Sequence, residues 1–168
     1  MAVSDFTHLG KDLLPNMVDV GQKKATERIA VARTMVKLPD EIFSKLNSTA
    51  SKRSSKGSIF DVAVIAGTQA AKKTADLIPL CHIIPLDSVK IDFRREGDQR
   101  IIVECRVKAT FKTGVEMEAL VGSSVAALTI YDMCKALSHE IVIEETKLIE
   151  KTGGKSDYFS KTQRGERY

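Results

Sequence analysis

The chain has 168 residues and a mass of 18.5 kDa, room for one domain with tails but not for two. Apolar residues make up 43% and charged residues 29%, which is ordinary globular composition and enough to bury a core without disulfide or metal staples. The net charge of +4 is weaker than the basic stripe of a dedicated nucleic-acid binder. From Lys147 onward six cations stand against three anions, so the tail carries most of the surplus and the body is near neutral. Three cysteines at 81, 105 and 134 form no CxxC and leave an odd count, which points to a reducing cytosol. That spacing also excludes the common zinc ribbons, although Cys81 and His82 could supply one or two ligands. The start lacks the continuous apolar run of a secretory leader. The longest uncharged stretch, 119–131, is too short and polar to span a bilayer. A soluble protein is expected.

The first 16 residues or so lack periodicity and read as a loosely tethered arm. Residues 29–38, IAVARTMVKL, alternate as a strand. Pro39, Asp40 and Glu41 then open a short helix, with proline early and acids in the first turn. The run STASKRSSKGS is rich in Ser and Lys and reads as an exposed loop. Residues 59–77 predict one helix whose small face, Ala63, Ala66, Ala70 and Ala71, admits a close neighbour. Pro79 and Pro85 bracket LIPLCHIIPL, which neither a helix nor a central strand tolerates. It is therefore an apolar loop holding Cys81 and His82. SVKIDFRRE and RIIVECRVKATF alternate around Glu96 and Gln99, which predicts a hairpin with a turn of about four residues. Residues 115–137 are the longest helical candidate. Met117, Val121, Val125 and Leu128 form one stripe on it, and Ala119, Gly122 and Ala126 another. Residues 140–151 predict a last strand before a Gly153-Gly154 turn and a mobile tail from about 156. The order β-α-α-β-β-α-β fits an α+β domain, an antiparallel sheet with helices on one face in the ferredoxin-like manner.

Several residues could carry chemistry. His82 is either a half-buried histidine bonded to carbonyls or a group presented from a proline-framed loop. Cys81 lacks the Cys-His-Asn spacing of a nucleophile and fits an ordinary buried thiol better. Lys112, Glu116 and Glu118 surround Gly114, as a polar helix start or as a site. Asp132 and Lys135 lie three apart on one helix face, a spacing equally suited to a surface ion pair. Glu118 and Asp132 are 14 residues apart, within about 40° in azimuth but about 21 Å along a continuous helix. One copy of the chain cannot bring both to one small molecule, so either they serve different purposes or a neighbouring subunit completes the site. The small stripe Ala119-Gly122-Ala126 would also suit an oligomer. Lysines 56, 72, 73, 112, 135, 151 and 155 recur near glycines and loops, a setting that suits phosphate oxygens, although no Walker A loop is present.

MVDVGQKKATERIAVA, KGSIFDVAVIAGTQAAKKTADLIPLCHIIPL, KTGVEMEALVGSSVAALTIYDMCKA and KTGGKS resemble, in order and spacing, the molybdenum cofactor biosynthesis protein C family, the cyclic pyranopterin monophosphate synthases. The resemblance covers about 7–156. It implies conversion of (8S)-3′,8-cyclo-7,8-dihydroguanosine 5′-triphosphate to cyclic pyranopterin monophosphate with release of pyrophosphate. It also implies a cytoplasmic ferredoxin-like homohexamer, a trimer of dimers with sites at a subunit interface, and neither nucleic-acid nor membrane partners. By resemblance the catalytic residues are Asp132, Lys135 and Lys56. Substrate contacts fall on Leu80, Cys81, His82, Met117 and Glu118, while Glu116, Arg28, Lys151 and Lys155 line the same pocket or the phosphate path. No motif assigns a resident cofactor or metal, and no residue pattern assigns a divalent cation to the triphosphate. The sequence departs from the family at Ile83, Lys73 and Asp157, where proline, arginine and glycine are usual. Two other readings compete. An RNA-binding module of the same fold would need strand aromatics for stacking, of which only Phe93 and Phe111 are available. An inactive scaffold subunit fits poorly with intact KTGVEMEAL and YDMCK.

Overall fold

A computed structural model describes residues 14–46, 53–54 and 57–160. The central strand is β1 (Thr26–Lys37), where Ala30, Ala32, Thr34 and Val36 alternate onto one buried face. It is followed by a short helix α1 (Asp40–Lys45), with Asp40 and Glu41 in its first turn and Ile42 and Phe43 buried. Two-residue strands β2 (Arg53–Ser54) and β3 (Gly57–Ser58) pair with each other inside the Ser- and Lys-rich run that was expected to be plain loop. Helix α2 (Ile59–Lys72) starts where the Ser58 hydroxyl accepts the Asp61 amide at 3.4 Å.

The single helix expected over 59–77 is in fact two. It breaks at Lys73, and a one-turn α3 (Thr74–Leu77) follows. The Thr74 hydroxyl donates to the Ala71 carbonyl at 3.0 Å, a side-chain bond that competes with the helical ladder. Strands β4 (Ser88–Glu96) and β5 (Arg100–Phe111) form the expected hairpin, and Glu96 pairs with Arg100. The loop has three residues rather than four and turns on Gly97 at φ +60°. The long helix α4 (Glu116–Cys134) is continuous, and β6 (Val142–Thr152) follows it. The tail expected to be mobile from about 156 instead adds strand β7 (Tyr158–Phe159), paired with Glu150 and Lys151 of β6. Residues 161–168 of that tail, and 1–13 of the N-terminal arm, lie outside the described residues.

The sheet order is β4-β5-β1-β6-β7, with every pairing antiparallel. This is the α+β arrangement that the order of elements predicted. Helices α2 and α4 pack against each other on one face. Gly67 of α2 meets Ile91 of β4, and Gly122 of α4 meets Cys105 of β5; Ile91 and Cys105 are cross-strand partners. The core between them comprises small and branched residues such as Ala63, Val103, Ala126 and Ile130. The small stripe Ala119-Gly122-Ala126 is thus used within the chain. It receives α2 rather than a second subunit, which corrects the use of that stripe as an argument for an oligomer. The opposite sheet face carries cross-strand charge pairs, including Arg33 with Glu104 at 3.8 Å and Arg106 with Glu150 at 3.6 Å.

Candidate functional site

Three segments meet at the end of the sheet where β5 passes into α4. The proline-framed loop before β4 supplies Leu80, Cys81, His82 and Ile84. The first turn of α4 supplies Glu116, Met117 and Glu118, and Val18 closes the side. Together with Thr113 and Gly114 they line a cavity of about 200 Å³. Gly114 lies directly against the Glu116 carboxylate, the flexible end of that side chain. His82 Nε2 lies 2.8 Å from the Val18 carbonyl. A carbonyl only accepts, so Nε2 carries a proton and donates this bond.

Glu118 is 4% exposed. Burial, reinforced by the nearby Glu116 charge, pushes its carboxyl up to about 7. A group poised there can hold or release a proton at neutral pH. The Cys81 thiol is raised by burial and then by the Glu118 charge. That is opposite to the activation a thiolate nucleophile needs, in agreement with its reading as an unactivated thiol.

A second cavity of about 230 Å³ shares Thr113, Gly114 and Glu116 with the first. Five cations line it: Lys23, Arg28, Lys112, Lys151 and Lys155. Glu116 alone opposes them, and its carboxylate takes Lys151 at 3.3 Å. Backbone geometry builds this cradle. Gly153 turns at φ +83°, where a Cβ would strike the Glu27 carbonyl. The Thr26 hydroxyl donates to the Gly153 carbonyl at 2.9 Å, and the Gly153 amide donates to Asp157 at 3.2 Å. Asp157, one of the departures noted above, therefore closes this turn. Arg28 donates through Nε to the Phe111 carbonyl at 3.3 Å, and its guanidinium passes so close to Gly154 that a Cβ there would sit 2.9 Å from it.

The structure brings Leu80, Cys81, His82, Met117 and Glu118 into one cavity and Arg28, Lys151 and Lys155 into the other, with Glu116 in the wall between them. Asp132 and Lys135 stand elsewhere. They form an ion pair at 2.6 Å near the far end of α4, each side chain more than half exposed. The Asp132 carboxylate holds the Lys135 ammonium above the usual lysine range. Because α4 is unbroken, about 21 Å of helix separates Asp132 from Glu118. Lys56 lies outside the described residues. Lys72 and Lys73 are absent from the basic cradle and line a smaller concavity with His82, Ile84 and Glu118. The sequence reading missed Val18 and Lys23, which no periodic pattern marks. Among the described residues no cluster of three or more His, Cys, Asp or Glu is arranged to hold a metal, and no helix is long and apolar enough to cross a membrane.

Five cations around one small concavity, joined to a mixed apolar and acidic cavity, make a surface suited to a compact polyanion. Phe93 packs on Phe60 at 4.8 Å between ring centres, and Phe111 packs against the core. The chain belongs to the MoaC family, whose model matches residues 17–154. It is 50% identical over 152 residues to a cyclic pyranopterin monophosphate synthase of Xanthomonas axonopodis pv. citri, covering 90% of this chain and 92% of that one. It is 48% identical over 160 residues to the synthase of that name from Geobacillus kaustophilus, covering 94% and 97%. A molybdenum cofactor biosynthesis bifunctional protein of Synechocystis sp. is 52% identical over 156 residues. That match takes in 90% of this chain but only 45% of the Synechocystis protein, so the chain spans less than half of that relative's length.

Proposed function

We propose that this chain is a cyclic pyranopterin monophosphate synthase. It acts in molybdenum cofactor biosynthesis, converting (8S)-3′,8-cyclo-7,8-dihydroguanosine 5′-triphosphate to cyclic pyranopterin monophosphate and diphosphate. The observation that carries the reading is the shared wall at Glu116 and Gly114, which joins a five-cation cradle to the cavity of His82 and Glu118. A triphosphate fits the cradle, and the purine-derived rings fit the neighbouring cavity, where hydrogen-bonding and apolar groups alternate.

In this reading Lys23, Arg28, Lys112, Lys151 and Lys155 neutralise the triphosphate and stabilise the departing diphosphate. A sugar hydroxyl attacks the α-phosphorus, the bond to the bridging oxygen breaks, and the cyclic monophosphate remains. Ring opening and pterin closure need protons moved near neutrality. The paired Asp132 and Lys135, with Lys56, are the groups proposed to move them. Since Asp132 and Glu118 stand about 21 Å apart on one helix, a second copy of the chain brings its own Asp132 end to this cavity. A homohexamer of the family's trimer-of-dimers type satisfies that requirement. The alternation of the long elements and the strand order support a ferredoxin-like classification, and the free thiols support a cytoplasmic location.

The test is incubation with the cyclised dihydro-GTP substrate and detection of the tricyclic pterin together with diphosphate. Lys56→Ala, Asp132→Ala and Lys135→Ala are each expected to lower turnover by at least about a thousandfold, as loss of an acid–base or oxyanion-stabilising group does, while the protein stays folded. Near-normal diphosphate release by all three variants would refute the assignment.

A further inference from the structure

The seam between the two cavities is spanned by segment 18–23. Val18 lines the His82 cavity and Lys23 lines the basic cradle. Two site side chains hold the segment by its backbone: His82 Nε2 bonds the Val18 carbonyl at 2.8 Å, and Lys112 Nζ donates to the Gly21 carbonyl at 2.7 Å. Both contacts run the other way too. They place a proton on His82 Nε2 and tie the Lys112 ammonium to the Gly21 carbonyl.

The segment owes its shape to a local turn. The Gly21 amide donates to the Asp19 carboxylate at 2.7 Å, and the Lys23 amide donates to the Val20 carbonyl at 3.1 Å. A Cβ at Gly21 would lie 3.1 Å from Asp19 Oδ1, so the carboxylate sits close against this residue. Asp19 itself lines neither cavity. Its reach into the site is through the backbone alone.

We propose that Asp19 is a positioning residue for substrate binding, closing the turn that makes segment 18–23 a strap across the site and so orienting His82 and Lys112. The idea rests on the catalytic reading above only for its kinetic arm. Removing the turn deletes no side chain that lines the cavities but loosens the two backbone contacts that orient His82 and Lys112, so binding weakens more than chemistry does.

The test compares Asp19→Ala, Asp19→Asn and the unaltered protein. With the cyclised dihydro-GTP substrate, Asp19→Ala is expected to raise KM about tenfold, the size of one charge-assisted hydrogen bond, with kcat within about twofold. Asp19→Asn restores KM, because its amide oxygen accepts from the Gly21 amide as the carboxylate does. In the free protein, hydrogen exchange at the Gly21 amide is expected to accelerate about tenfold in Asp19→Ala and to return to normal in Asp19→Asn. An unchanged KM in Asp19→Ala, a loss confined to kcat, an Asn variant as impaired as Ala, or unchanged exchange at Gly21 overturns the proposal. Absence of turnover in the unaltered protein would instead refute the functional reading, and the exchange measurement would still decide the strap.

Discussion

Glu118 shows how strongly position decides chemistry at the scale of one residue. Glu116 and Glu118 are two positions apart on the same helical turn, yet Glu116 pairs with Lys151 while Glu118 is buried with its carboxyl raised to about 7. An acid whose folded value is raised binds its proton more tightly in the native state than in the unfolded chain. Its contribution to stability is fullest below the ordinary value of 4.5, falls as pH rises, and levels out above about 7. Glu118→Gln removes that dependence. Thermal melts from pH 4.5 to 8 are expected to show a flatter decline for the variant than for the unaltered protein. A parallel decline in both would mean that Glu118 is ionised throughout. The sequence placed this residue at the site but said nothing of its proton, because two acids in a helix start look alike until burial separates them. The strap was illegible for a related reason: its contribution comes from the carbonyls of Val18 and Gly21, and carbonyls are common to every residue.

At the scale of elements, β1, β5 and α4 could be read from the sequence because apolar alternation and helical periodicity were strong there. The break at Lys73 could not, since it follows from where the Thr74 hydroxyl finds an acceptor. The small stripe of α4 was visible as a stripe, but a period reveals a face and not what covers it. Its use is clearest at Gly67, where a Cβ would lie 2.5 Å from Ile91 and 2.6 Å from the Gly122 carbonyl. Backbone cannot step aside cheaply, so Gly67→Ala is expected to cost about 2–3 kcal/mol and lower Tm by roughly 5–10 °C. Gly97→Ala offers the contrast. Nothing lies within 4 Å of its would-be Cβ, and only the left-handed backbone resists, at about 1 kcal/mol. Calorimetry on the two variants separates a packing requirement from a conformational one.

For the whole molecule, the proposed function makes the site a property of more than one chain, because about 21 Å separates the two charged ends of α4. Glu118→Gln and Asp132→Asn are expected to be inactive separately. Mixed under conditions that allow subunits to exchange, they should recover about a quarter of normal activity, since half of the randomly formed pairs hold one site with both residues intact. No recovery in verified mixed assemblies would mean that the two residues serve the same copy or different reactions. The mild basic surplus of the chain also takes on a definite form at this scale. Lys151 and Lys155 from its last third converge with Lys23, Arg28 and Lys112, so charges that look like a basic tail in sequence become one wall of a cavity in space.

The unbroken course of α4 sets a tolerance on length as well as on chemistry. A single residue inserted between Glu118 and Asp132 would swing the second by about 100° and push it about 1.5 Å further away. The same insertion would throw the Gly67–Gly122 contact or the Asp132 end out of phase, whichever side of Gly122 it fell on. An insertion of seven residues would nearly keep the phase but would stretch the gauge by about 10 Å. Under the proposed function the helix is therefore a spacer of fixed count, and its length in residues is as much a part of the site as any carboxylate it carries.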